Sequence, residues 1–364
     1  MNIFYLGYSL EEGSGGIENY TYIVLKHLQD KGHNIVIYTI NGNNKKFENI
    51  EFTKNKYFDR LFLGRRVVNN LYKKHKKIDL FLCGHLFLAK HMEKIAKKYD
   101  SNYALFVYGL DCWAGRFEER QSKLKSINKI ISISSFTTKQ IKNQGFRGDV
   151  VYLPPVLDEN KFPLIQKEVN ADNTVKFITV GRLSSAEKYK GHDKVIEAVD
   201  LLINKYNIKN IEYRIVGKGD DKERLENKVR ELNLESFIKF YGFVPDEDLP
   251  KVYSSSDVFI MPSNVSLDPS KPEGEGFGIV FTEAAMYKLP MIGPNDGGST
   301  DIIDDNINGL ECDPLSPSDI AEKMKILINN EKKRIEFGKK ANEKIVDNFT
   351  LRQLDGYLEK IVEM

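Results

Sequence analysis

At 364 residues the chain is long for one core and comfortable for two, and its 41% hydrophobic and 29% charged content is ordinary for a globular protein. Lys and Arg number 54 against 52 Asp and Glu, a formal charge of +2, so no global field points to nucleic acid. Cys83, Cys112 and Cys312 are odd in number, widely spaced and without a CxxC pair, which suggests neither a disulfide framework nor a zinc site and fits a reducing compartment.

The N-terminus turns polar by Ser9 and Glu11, too early for a signal peptide, and no apolar run approaches the ~20 residues of a membrane span. A cytoplasmic protein is expected. Ile3 to Leu6 reads as a buried parallel strand. Gly13-Ser14-Gly15-Gly16 follows, then Ile17, Tyr20, Val24, Leu25 and Leu28 at helical spacing, with Gly32 as the stop. Ile35 to Ile40 is the next strand, which completes a βαβ unit of the nucleotide-binding kind. The loop lacks both the dinucleotide fingerprint and Gly-Lys-Ser/Thr, so neither NAD nor a P-loop is supported.

Residues 54–98 carry thirteen Lys/Arg against Asp59, Asp79 and Glu93, with apolar residues interleaved. A pair of solvated helices with apolar inner faces is the plainer reading. The functional one is docking on an anionic membrane surface, where each basic residue is worth ~1 kcal/mol. No nucleic-acid signature accompanies the charge.

Asp79 to Cys83 reads as a strand that ends in Gly84-His85, where α/β sheets bind ligands. A lone His is more often structural, and His85 stands as an acceptor-side candidate. Tyr103 to Tyr108 is a strand followed by Gly109-Leu110-Asp111. Lys129 to Ser134 leads into a Ser/Thr-capped helix, and Val150 to Leu153 is closed by Pro154-Pro155. Leu157 to Thr174 is polar, aperiodic and interrupted by Pro163, and is taken as the connection between domains.

Val175 to Val180 opens a second α/β series and ends in Gly181-Arg182. Lys190-Gly191 follows. An Arg and a Lys eight apart, on a loop between strand and helix, can converge on a diphosphate, the Arg as a planar fork and the Lys as a point charge. Two surface cations is the plainer alternative. Ile211 to Val216 with Gly217, and Phe237 to Phe240 with Gly242-Phe243-Val244, are further strands and turns. Val258 to Met261 and Met291 to Gly293 are two more. Gly297-Gly298 is expected to open a helix, and helices are expected from Ser316-Pro317 onward.

The stretch Lys271 to Leu289 holds Glu275 and Glu283 around Gly276-Phe277-Gly278. A Pro- and Ser-rich loop precedes it and an Ala-rich apolar segment follows, so a helix is expected to begin near Gly276 to Gly278. Unpaired N–H groups there suit a phosphate or a sugar, and a carboxylate can take sugar hydroxyls. A capped surface helix is the plainer reading.

Glu275-Gly276-Phe277-Gly278 with Glu283-Ala284, together with Gly15-Gly16, Gly181-Arg182 and Lys190-Gly191, resembles the large retaining GT-B glycosyltransferase family with the Glu-(seven residues)-Glu motif, glycosyltransferase family 4 or glycosyl transferases group 1. The resemblance covers nearly the whole chain. It implies an α/β fold of two Rossmann-like domains facing a cleft: residues 1–160 on the acceptor side, with a helix near 345–364 packed back on them, and residues 170–344 for the donor. It implies a nucleotide-sugar donor, a UDP-sugar favoured, and a glycan or lipid-linked acceptor of cell-surface polysaccharide synthesis. Transfer would retain the anomeric configuration by a same-face mechanism in which the leaving phosphate helps deprotonate the acceptor.

By the same resemblance Arg182 and Lys190 clamp the diphosphate, Glu275 holds donor-sugar hydroxyls and Glu283 holds ribose hydroxyls. Gly16, Gly181, Gly217, Phe243, Val244, Gly276, Phe277 and Gly278 line the donor. The first domain's family pattern is a His-Gly with an acidic residue two further on. That His contacts the donor sugar; here Tyr108 takes its position as a donor-binding candidate, and Asp111 is the acidic acceptor-side candidate. A phenol can bond a sugar hydroxyl but cannot act as a near-neutral base. No Asp-rich motif is evident, so neither metal nor cofactor is expected, the cations serving instead. A silent nucleotide-sugar-binding protein and a GT-B epimerase are the alternatives.

Overall fold

The computed structural model describes residues 1–10, 16–40, 50–52, 69, 71–163, 165 and 173–362. Gly13, Ser14 and Gly15 of the glycine loop, and residues 54–68 and 70 of the basic segment, lie outside them. The chain divides into two compact units, one of Met1–Val156, Asp268–Ser270 and Arg352–Met364, the other of Leu157–Leu267 and Lys271–Leu351.

The first unit is built on seven parallel strands: β1 (Asn2–Gly7), β2 (Asn34–Thr39), β3 (Ile50–Phe52), β4 (Leu80–Cys83), β5 (Tyr103–Val107), β6 (Ile127–Ser132) and β7 (Asp149–Tyr152). Their order in the sheet is β3-β2-β1-β4-β5-β6-β7, a doubly wound arrangement whose direction reverses between β1 and β4. Helices cover both faces of such a sheet, so its central strands are apolar on both sides; β4 and β5 are buried at every residue. β3 was not legible as a strand. It is three residues long and pairs at the edge with β2, Ile37 beside Ile50.

The helix Gly16–Asp30 buries Tyr20, Thr21, Val24, Leu25 and Leu28. Ser134 is the cap: its side chain accepts from the Thr137 N–H and starts the helix Ser135–Asn143. In the basic segment, the helix Ala89–Lys98 buries Met92, Ile95 and Ala96 and leaves Lys90, Lys94, Lys97 and Lys98 exposed. The last helix, Leu351–Val362, buries Leu354, Leu358 and Ile361. Within the first unit Asp355 on that helix accepts from His27 at 2.6 Å and from Lys31 at 2.5 Å. No helix among the described residues is long and apolar enough to cross a membrane.

The second unit has six parallel strands: β8 (Val175–Val180), β9 (Ile211–Val216), β10 (Ile238–Gly242), β11 (Val258–Ile260), β12 (Met291–Pro294) and β13 (Gly309–Cys312). Their order is β10-β9-β8-β11-β12-β13, so the direction reverses between β8 and β11. Phe177, Val195, Val199, Leu202, Tyr213, Ile215, Ile260, Ile292 and Met324 belong to its core. Gly297-Gly298 opens a short 3-10 turn, Gly298–Asp301, in place of the helix expected there.

Candidate functional site

The loops that leave β8 and β11 rise from the two strands at the reversal point of the second sheet, where open α/β sheets leave a crevice. The β8 loop carries Gly181, Arg182 and Lys190; the β11 loop leads to Glu275 and the helix Ile279–Met286. The two are laced together by backbone. Asn264 N–H donates to Tyr189 C=O at 2.7 Å, and Gly191 (φ 83°) packs so closely that a Cβ would stand 2.4 Å from the Pro262 oxygen. Only glycine fits there. On the other side of β8, Gly217 (φ 142°) would place a Cβ 1.8 Å from the Gly181 oxygen. Gly217 N–H donates to Gly242 C=O at 2.7 Å, so three successive strand ends are joined beside Arg182.

Arg182 and Lys190 converge, and they do so on one carboxylate. Glu187 bonds Arg182 through Oε1 and lies 2.9 Å from Lys190 Nζ through Oε2. The Lys190 side chain is 11% exposed and that of Arg182 is 78% exposed. The backbone at Glu187 leaves helical geometry, φ −119° and ψ 31°, which lets the side chain meet both cations. Sequence reasoning passed over Glu187. Its position three residues before Lys190 allows a pair on a helical turn, but the turn is not helical at Glu187, so the spacing alone does not mark it.

Glu275 shares this environment. Its Oε2 is enclosed and has no hydrogen-bond partner. Burial raises its pKa, Lys190 and Arg182 act in the opposite direction, and Glu187 adds to the rise. Burial likewise raises the Tyr189 hydroxyl, with Glu275 and Glu187 adding to it. Glu275 C=O accepts from Gly298 N–H at 3.3 Å, which ties the turn to the end of β12. Phe277 is buried and packs edge-on to Phe349 at 5.5 Å. Gly278, left-handed at φ 89°, is the N-cap, so the helix begins at Ile279. Among the described residues Ser263 and Ser299 also have buried hydroxyls without a partner.

Glu283 stands in the second turn of that helix and accepts from the Tyr253 hydroxyl at 3.0 Å. Burial pushes its carboxyl up to about 7, although the Tyr253 bond lowers it. Tyr253 is itself buried and stacks on Tyr287 at 5.6 Å. No pattern in the sequence marks Tyr253. At the end of β10, Phe243 is 61% exposed, with Lys218 Nζ 4.4 Å from its ring centre, while Val244 is half-buried.

The remaining candidates belong to the first unit, and three of them gather at the ends of β4 and β5, beside its own reversal point. His85 follows β4 and lies 6.2 Å, ring centre to ring centre, from Tyr108. Its Nδ1 accepts from Phe87 N–H at 3.2 Å, and burial, helped by Arg120, lowers its pKa to about 4. Tyr108 is buried, and its hydroxyl meets Thr21 Oγ1 at 3.2 Å. Thr21 rides on the helix that begins at Gly16, which connects Gly16 to this group. Asp111 Oδ1 accepts from Tyr108 N–H at 2.9 Å and Gly109 N–H at 2.8 Å, and Oδ2 is buried without a partner. Burial pushes that carboxyl up to about 6 against those two donors.

Residues 160–344 match the family model described as "Glycosyl transferases group 1". Among curated proteins, the poly(ribitol-phosphate) alpha-N-acetylglucosaminyltransferase of Staphylococcus aureus is 29% identical over 181 residues, 48% of this chain and 33% of that protein. The GDP-mannose-dependent alpha-(1-6)-phosphatidylinositol monomannoside mannosyltransferase of Mycobacterium tuberculosis is 27% identical over 211 residues, 57% of this chain and 54% of that protein. The chain thus spans from a third to about half the length of these relatives. The solved structure of Anabaena HepE in complex with UDP and glucose has a TM-score of 0.79 at 17% identity, covering 100% of this chain and 99% of that one. That likeness establishes the GT-B fold.

Proposed function

The chain belongs to the glycosyl transferases group 1 family, and from that premise we propose that it moves a sugar from a nucleotide-sugar donor, a UDP-sugar favoured, to a glycan or lipid-linked acceptor. The observation that carries this reading is the meeting of Arg182 and Lys190 on a single carboxylate, which places two cations where one anionic group can engage both. A diphosphate leaving group would gain charge there as its bond to the sugar breaks. Preorganised cations at developing charge are the strongest lever such a site has. The UDP and glucose bound to HepE favour a uridine donor, and the GDP-mannose dependence of the mycobacterial relative makes guanine the next choice.

In the proposed reaction the bond between the anomeric carbon and the β-phosphate oxygen breaks, and its electrons pass to the diphosphate beside Arg182 and Lys190. The acceptor hydroxyl attacks from the same face, its proton goes to that phosphate oxygen, and configuration is retained. Glu275 holds sugar hydroxyls, Glu283 the ribose, and Gly276 to Gly278 supply backbone donors. His85 and Asp111 serve the acceptor side. No metal ion is required, since the two cations carry the neutralisation. A role in cell-surface polysaccharide synthesis, with the enzyme peripheral on an anionic membrane through residues 54–98, extends the reading. Flotation with anionic vesicles at low salt tests that extension, and absence of binding would remove it.

A thermal-shift and hydrolysis panel of UDP-, GDP-, ADP- and dTDP-sugars in EDTA tests the reaction. Stabilisation by one nucleotide with slow release of its diphosphate is the expected result. No shift with any donor would overturn the assignment of Arg182, Lys190, Glu275 and Glu283.

A further inference from the structure

Glu187 stands between the two cations in sequence, and it is shared between them in space. Its Oε1 bonds Arg182, and its Oε2 lies 2.9 Å from Lys190 Nζ as an ion pair, buried and without a hydrogen bond of its own. The side chain is only 15% exposed and hangs from a non-helical backbone in an otherwise 3-10 turn. The Tyr189 and Gly191 anchors to the β11 loop hold that turn in place on its C-terminal side. A planar anion that spans an arginine and a lysine occupies the positions that two phosphoryl oxygens would take. Arg182 and Lys190 carry two positive charges, and Glu187 with an ionised Glu275 carries two negative ones. The cluster is therefore near neutral until one carboxylate gives way.

We propose that Glu187 is a positioning residue that competes with the donor's diphosphate: it aligns Arg182 and Lys190 when no diphosphate is bound and retakes them after transfer, so that nucleoside diphosphate leaves. The inference rests on the diphosphate reading of this site given above. It assigns a cost to donor binding, because the diphosphate must displace a carboxylate from both cations. It also gives a reason for the second carboxylate, since two cations without a resident anion would hold the product tightly.

The test is a titration of UDP, inorganic pyrophosphate and uridine against the wild-type chain, Glu187→Gln and Glu187→Asp, by calorimetry. Removing one buried negative charge beside two cations should tighten UDP and pyrophosphate roughly tenfold in Glu187→Gln. Glu187→Asp, which keeps the charge, should stay near wild type, and uridine should bind all three alike. In turnover, Glu187→Gln should lower KM for the donor and kcat together, as slower product release requires. A residue that only stabilises the turn would shift Tm without this selective gain. UDP binding by Glu187→Gln no tighter than wild type, at unchanged uridine affinity, would overturn the inference and leave the diphosphate reading intact. If Glu187→Gln does not fold, Glu187→Ala, which removes the same charge, decides: it should tighten pyrophosphate likewise, and unchanged or looser pyrophosphate binding would overturn the proposal. Failure of the wild-type chain to bind any nucleoside diphosphate would overturn both readings.

Discussion

The Tyr253 hydroxyl lies 3.0 Å from Glu283 Oε2 and donates to it, at a carboxyl that burial has pushed up to about 7. Burial raises the pKa and the tyrosine bond lowers it, so the proton on Glu283 comes off near neutrality. The ionised carboxylate is the better acceptor for ribose hydroxyls. Donor affinity is expected to rise between pH 6 and pH 8 with release of one proton. Tyr253→Phe removes the contribution that lowers the pKa, so the midpoint should move to higher pH. Calorimetric binding in two buffers of different ionisation heat reads both.

The same carboxyl sets a stability trend. Its folded pKa lies above its ordinary 4.5, so the fold binds the proton more tightly than the unfolded chain does. Its stabilising contribution is therefore present below about pH 4.5 and is lost as pH rises through about 7. Glu283→Gln should match wild-type Tm at pH 4.5 and exceed it at pH 8. Equal melting curves at pH 8 would place the proton elsewhere.

Replacing either cation should lower turnover, but not equally. Lys190 is 11% exposed and Arg182 is 78% exposed, so the lysine acts in a lower dielectric. Loss of one charge-stabilising donor is worth ~10²–10³ in turnover. Lys190→Ala should fall at the upper end of that range and Arg182→Ala at the lower. Single-turnover rates separate this from product release. Wild-type rates in both variants would remove the pair from the chemistry.

Much of the fold was legible because strands in a doubly wound sheet are buried on both faces and so read as apolar runs, unbroken at Ile3 to Leu6 and interrupted only by Lys176 and Thr179 at Val175 to Val180. The glycine turns marked their C-terminal ends, where Arg182, Lys190 and Glu275 now lie. β3 escaped because a three-residue edge strand is too short to show a period. Glu187 and Tyr253 escaped for another reason. Nothing in their neighbours' identities fixes where their side chains point; Glu187 depends on a non-helical backbone in its own turn, and Tyr253 on a helix thirty positions away in sequence. Tyr108 was legible as a departure in the motif, but its hydrogen bond to Thr21 was not.

An acid limb is expected from the face that holds the helix following Lys190. Arg224 makes a bidentate pair with Asp193, both contacts at 2.7 Å, and Lys228 lies 3.1 Å from the same carboxylate. Burial would raise the Asp193 pKa, but Arg224 and Lys228 outweigh it and hold the carboxyl at about 2. The folded value lies below the ordinary one, so the contribution is present above about pH 4 and lost as pH falls toward 2. Partial exposure of Arg224 keeps the effect modest. Asp193→Asn should lower Tm at pH 7 and flatten its decline between pH 4 and pH 2.

Gly217→Ala separates packing from charge at the same site. The added Cβ would stand 1.8 Å from the Gly181 oxygen, and the backbone there has φ 142°. Neither problem can be relieved by a side chain, because the obstacle is main chain. The β8 end must therefore move, and Arg182 is the next residue along. Strain of this kind costs about 1–3 kcal/mol for the dihedral alone. The variant should melt several degrees lower and also lose affinity for nucleoside diphosphate, with every charge of the cluster still present. A lower Tm at unchanged diphosphate affinity would mean that Arg182 keeps its place when Gly181 shifts, and that the close approach of the two glycines serves the sheet alone.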